Sequence, residues 1–120
     1  MANTFLRKTS RDIGTLPVVV GGYTVGSLTQ TTIIGLSCSN TTSTAITVDV
    51  VHNDGSNETY LVKTATVPSG GSLVVVGGDQ KVVLQTGDNI KVTSSAASSC
   101  DVMMSILEIT QWVSLKILQR

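Results

Sequence analysis

Ile46-Thr47-Val48-Asp49-Val50-Val51-His52-Asn53-Asp54-Gly55 sets the architecture. Apolar Ile46, Val48 and Val50 alternate with polar Thr47 and Asp49, a period of two that places one set on each face of a strand. Asn53-Asp54-Gly55 then supplies a turn, because these residue types tolerate the backbone angles of a tight reversal. A half-buried strand running straight into a turn is the repeating unit of antiparallel sheets.

The same texture recurs on both sides. Ile34, Leu36 and Cys38 share one face of the preceding strand; Val82 with Leu84, Ile90 with Val92, and Val102 with Met104 and Ile106 continue it. Turn signals fall between these runs at Gly21-Gly22, Ser39-Asn40, Pro68-Ser69-Gly70-Gly71, Gly77-Gly78-Asp79 and Gly87-Asp88-Asn89. Val, Ile and Thr dominate, as pleated half-buried surfaces require. The expected fold is an all-β antiparallel sandwich, jelly-roll-like or immunoglobulin-like, with about seven or eight strands.

The 120 residues suffice for one domain with one core. Residues 1–15 read as an extended N-terminal arm and residues 16–120 as the sandwich. Within the arm, Phe5, Leu6, Arg7, Lys8 and Arg11 follow neither the helical nor the strand period. A frayed tail is one reading of such a terminus; the chain's only Phe favours the other, an arm that docks on a partner. At the far end, Val113, Leu115 and Ile117 alternate with polar residues after Trp112, so 112–118 reads as a final strand. An amphipathic helix there would be too short to stand alone.

Composition narrows the function classes. Lys plus Arg and Asp plus Glu each number 8, and only 13% of residues are charged. Such a chain carries no field to attract nucleic acid or an anionic membrane, and little repulsion to oppose association. Its apolar runs are far shorter than the ~20 residues of a membrane helix. No apolar segment of the secretory type follows the basic residues near Met1. The sequons at Asn40 and Asn57 are therefore read as ordinary strand and turn composition.

Chemistry is sparse. The one His, His52, sits at a strand end, and no Ser lies in a Gly-x-Ser-x-Gly elbow. One His and two Cys are too few for a structural zinc site. Asp54, Asn57 and Glu58 cluster at a turn but lack the spacing of a calcium loop. The glycine pairs join strands and supply positive φ rather than a phosphate cradle. No catalytic, metal-binding or cofactor-binding residues are expected, and the chain is not read as an enzyme. Cys38 and Cys100 each share the parity of an apolar face. They read as two buried thiols, as a bridge within the chain that closes a long loop, or as a bridge between chains.

The stretch Val67-Pro68-Ser69-Gly70-Gly71-Ser72-Leu73-Val74-Val75-Val76-Gly77-Gly78-Asp79-Gln80-Lys81-Val82-Val83-Leu84 resembles small virion structural proteins of tailed bacteriophages. So do Thr32-Ile33-Ile34-Gly35-Leu36, Ser39-Asn40-Thr41-Thr42, Val48-Asp49-Val50, Tyr60-Leu61-Val62-Lys63 and Gly87-Asp88-Asn89-Ile90-Lys91-Val92. The similarity spans roughly residues 13–110, and its motifs belong to strands and turns rather than to chemistry. The resemblance implies a compact sandwich that forms trimers or rings on a phage head, neck or tail, with no catalytic residues. The expected role is a capsid decoration or cement protein, located in the virion and made in the host cytoplasm. Its expected partners are further copies of itself and the major capsid protein or neck proteins. The alternatives are a neck, collar or tail adaptor or fibre-attachment protein, and a receptor- or carbohydrate-binding adhesin. Trp112, Tyr23 and Tyr60 lie too far apart in sequence to favour the adhesin. The cysteine pair and the extension at 112–120 depart from the group's pattern.

Overall fold

The computed structural model describes residues 2–111. Nine strands follow one another: β1 (Ala2–Ile13), β2 (Val18–Thr24), β3 (Thr29–Asn40), β4 (Ile46–Asn53), β5 (Glu58–Val67), β6 (Ser72–Val76), β7 (Val82–Leu84), β8 (Asn89–Ser94) and β9 (Cys100–Thr110). They form two antiparallel sheets. Sheet A has the order β1-β9-β3-β6, with β7 also paired to β3, and sheet B the order β2-β8-β4-β5.

The pairs β1·β9, β2·β8, β3·β6 and β4·β5 are nested around the β4–β5 turn. The chain is thus one long two-stranded ribbon. It wraps on itself until β3 meets β9 and β4 meets β8, which is the jelly roll. Of the two sandwich topologies expected, the strand order selects this one. The strand beyond these four pairs is β7, only 3 residues long; it continues the β6 edge past a break at Gly77 to Lys81.

The inner faces match the alternation in β4, β8 and β9. Val48, Val50, Ile90, Val92, Met104 and Ile106 are each no more than 1% exposed. Full burial of aliphatic side chains of this size stabilises by about 1.5–3 kcal/mol each. In β3 the expected face is corrected. Ile33, not Ile34, shares the core with Leu36 and Cys38, because the register against β9 shifts between Ile33 and Gly35. One extra residue at such a bulge reverses the parity of everything before it.

The N-terminal stretch is also corrected. It is extended, as expected, but it is not a free arm: from Ala2 to Ser10 it pairs residue for residue with Thr110 to Val102. A bulge follows, at which Asp12 takes φ 57° and its N–H donates to Asp101 Oδ1 at 3.0 Å. Ile13 then enters the core. The alternation is hidden because β1 is an edge strand whose inward positions include Thr4, Lys8 and Ser10.

Two loops are held by buried polar side chains. Asn40, 3% exposed, donates from Nδ2 to the Thr44 and Val67 carbonyls, and its Oδ1 accepts from Thr42. The Asn40 sequon is thereby closed to modification in the folded chain, since both amide hydrogens are in use. Where β2 crosses to β1, Gly21 has φ +61°, and a Cβ there would lie 2.8 Å from Lys8 Cβ. Its N–H donates to Ser10 Oγ at 2.8 Å. Only glycine combines that conformation with so close an approach.

Candidate functional site

The ladder of sheet A brings residues far apart in sequence into rows on its outer face. One row runs Phe5, Leu107, Thr32, Val83 across β1, β9, β3 and β7. Four residues further along β1 and β9, a second runs Thr9, Met103, Ser37, Val74 across β1, β9, β3 and β6. Phe5 is 74% exposed, Val74 67%, Val83 60% and Met103 49%. Scattered exposed apolar residues are ordinary on a protein surface; here they are aligned in register in two rows across one sheet, which makes this face the candidate contact surface. Between the two rows lies Arg7, opposite Ser105, as the charged residue of this area. A shallow hollow of about 350 Å³ adjoins the second row, lined by Thr9, Arg11, Ser39, Asp101 and Met103 among others.

Of the residues expected to make contacts, Phe5, Arg7 and Arg11 are exposed on β1. Leu6 and Lys8 point the other way. Leu6 packs on the core. The Lys8 ammonium lies 5.1 Å from the centre of the Tyr23 ring. Trp112, Val113, Leu115 and Ile117 lie outside the described residues. Leu107, Val83, Met103 and Val74 were not foreseen. Their signal was present as apolar residues at both parities, in Val82-Val83-Leu84 and Met103-Met104, which is how a strand covered on both faces reads.

Sheet B turns a different face outward. Lys91 Nζ lies 3.3 Å from Glu58 Oε2, the Lys63 ammonium sits 4.5 Å from the Tyr60 ring centre, and Asp49 Oδ1 accepts the Thr64 N–H at 2.7 Å. Its charges are satisfied within the chain, as on a solvated face.

The remaining polar groups are structural. His52 Nε2 lies 2.8 Å from Asp88 Oδ2, which also accepts the Gln85 N–H, so the pair ties β4 to the β7–β8 turn. Asp54 accepts the N–H groups of Asn57 and Ser56, which hold its carboxyl below the ordinary range. Glu58 is turned to Lys91. Thus Asp54, Asn57 and Glu58 share a turn without converging on a common point. Among the described residues no group of three His, Cys, Asp or Glu side chains is placed to hold a metal ion. No helix is long and apolar enough to cross a membrane.

Tyr23 closes one end of the sandwich. Its hydroxyl donates to Glu108 Oε2 and accepts from Thr31, each at 2.7 Å. Burial, and then the Glu108 carboxylate, push its pKa up to about 12. Cys38 and Cys100 are free thiols, each 0% exposed. Cys38 stands opposite Val102, and Cys100 opposite Asn40, so the two lie one diagonal step apart on the inner face. Cys38 is pushed up by its hydrogen bond to Cys100 and by burial, and the same bond holds Cys100 down.

No family model matches the chain, and no curated protein does. Solved structures do match in fold. A subunit of the Bacillus endospore appendages, described as disulfide-linked pili, is 14% identical with a TM-score of 0.50, over 92% of this chain and 91% of that one. A virus-like particle protein of the Macrobrachium rosenbergii extra small virus is 14% identical with a TM-score of 0.48, over 92% and 79%. The infectious bursal disease virus VP2 subviral particle gives 11% and 0.46, over 92% of this chain and 32% of that one. At such identity the likeness is one of fold. The chain is an antiparallel β-sandwich of jelly-roll order.

Proposed function

We propose that this chain is a non-enzymatic structural protein of a virion, most specifically a decoration or cement protein on the capsid of a tailed phage. The observation that carries the reading is the outer face of sheet A, where Phe5, Leu107, Val83, Met103 and Val74 are aligned in register on a surface with little charge. The motifs shared with small phage virion proteins support the particle, and the jelly-roll sandwich, a common building block of shells, supports the role. The two buried thiols support an assembly held by non-covalent contacts, since neither reaches the surface where a neighbouring chain would meet it.

Quantitative mass spectrometry of purified particles is the test. A decoration protein is expected in hundreds of copies per particle. About a dozen copies or fewer would move the chain to a neck, collar or tail ring. Absence from particles would sink the reading.

The fold match to a pilus subunit favours a second reading, a subunit of an extracellular fibre. Fibres in place of particle-bound protein, seen by negative-stain imaging of expressing cells, would establish it.

A further inference from the structure

We infer that the outer face of sheet A is covered by the same face of a second copy, so that two sandwiches stack sheet to sheet about a two-fold axis. This deepens the proposed assembly role and names its first partner.

The two faces of the sandwich divide the charge unequally. Sheet B carries Lys91 with Glu58, Lys63 over Tyr60 and Asp49 capping Thr64, each satisfied internally. Sheet A presents Phe5, Val83, Met103 and Val74 with Thr32 and Ser37 between them. A surface of small hydroxyls and apolar side chains is complementary to itself, because it needs no opposite charge on its partner. The charged residues here are few: Arg7 between the rows, and Arg11 with Asp101 beside the second row.

An isologous contact places each patch against its own copy. A two-fold axis through the middle of sheet A lays β1 of one copy over the β6 and β7 edge of the other. Phe5, at one edge, then meets the region of Val83 at the opposite edge, and Thr9 that of Val74. The two Arg7 side chains lie on opposite sides of the contact, three strand spacings apart at roughly 4.8 Å each, so they do not oppose it.

Four strands and the span from Asn3 to Thr9 outline a face of roughly 19 by 20 Å. Two such faces total on the order of 800 Å² before side-chain relief is counted, close to the ~1,000 Å² at which specific contacts begin. The pairing is therefore concentration-dependent and gains strength when many copies are held on a lattice.

Sedimentation velocity on the full chain across a concentration series tests this, with Met103→Lys on the inner strand β9 of the face and Met103→Gln as a milder variant. The wild type is expected to dimerise, and Met103→Lys to weaken the dimer at least 100-fold with an unchanged urea midpoint. If Met103→Lys fails to fold, Met103→Gln should still weaken pairing about tenfold. In a cross-linking arm, copies bearing Phe5→Cys mixed with copies bearing Val83→Cys should form a disulfide across the contact under mild oxidation by oxidised glutathione, and either variant alone markedly less. A wild type monomeric at up to about 1 mM overturns the inference. So does an oligomer indifferent to both Met103 variants. If the monomer binds particles lacking it through Met103, the face belongs to a shell protein and the second copy is excluded, while the virion reading stands. If deletion of 112–120 turns a monomer into a dimer, the chain's own end covers the face and the inference also fails.

Discussion

Cys38 and Cys100 share the inner face of sheet A one diagonal step apart, both with no exposed surface. Neither can meet a bulky reagent while β3 and β9 remain paired. An aromatic disulfide reagent is therefore expected to titrate no thiols in the native protein and both after denaturation in urea. Fast reaction of either thiol in the native state would show that this part of the sheet opens. Cys38→Ser, which buries a hydroxyl among aliphatic side chains, should cost about 1–3 kcal/mol, and Cys38→Ala less.

Tyr23 makes stability depend on alkaline pH. Its pKa is raised from 10.0 to about 12, so the neutral phenol is the form the fold favours. That contribution is fully present below pH 10 and is lost as pH rises to 12, because only the unfolded chain ionises freely over that interval. Thermal unfolding followed from pH 9 to 12 should show a fall in midpoint that is shallower in Tyr23→Phe. At neutral pH that variant should be less stable by about 1 kcal/mol, having lost the hydrogen bond to Glu108.

Gly21 and Gly22 provide a matched pair. Both have left-handed φ, +61° and +63°, but an added Cβ meets Lys8 Cβ at 2.8 Å only at Gly21, with nothing within 4 Å at Gly22. Gly22→Ala should cost about 1 kcal/mol, from backbone strain alone. Gly21→Ala should cost more, and should speed hydrogen exchange in β1, because β2 must retreat from it. Equal urea midpoints for the two variants would contradict the close approach.

Thr64 is a β-branched residue at φ 52°, held there by the Asp49 carboxylate on its N–H at 2.7 Å. Thr64→Gly should raise stability by about 1 kcal/mol by relieving that conformation. Asp49→Ala should lower it by about 1 kcal/mol, since the Thr64 N–H, at the register shift between β4 and β5, loses its acceptor. Urea unfolding of the two variants checks both signs.

Much of the architecture was legible because most strands bury one face cleanly. Ile46, Val48 and Val50 are inward as their alternation requires, and so are Ile90, Val92, Val102, Met104 and Ile106. Ile34 was misassigned because a bulge adds one residue without changing composition, and nothing in Thr32 to Leu36 announces it beyond Gly35. β1 was hidden by its place at an edge, where inward positions can be polar. The outer face of sheet A was the least legible element. Its rows exist only once β1, β9, β3 and the β6–β7 edge are in register, and no local pattern records a register between residues a hundred positions apart.

The nesting of the strands also imposes an order in time. Sheet A has β9 between β1 and β3, so until Cys100 to Thr110 have left the ribosome β1 has no strand beside it in that sheet and β3 has only β6 and β7. A nascent chain lacking β9 can hold the β4–β5 hairpin, but the rows that end at Phe5 do not yet exist. The face proposed for recognition between copies is completed only by β9, the last of the described strands, so a chain lacking β9 would not present it.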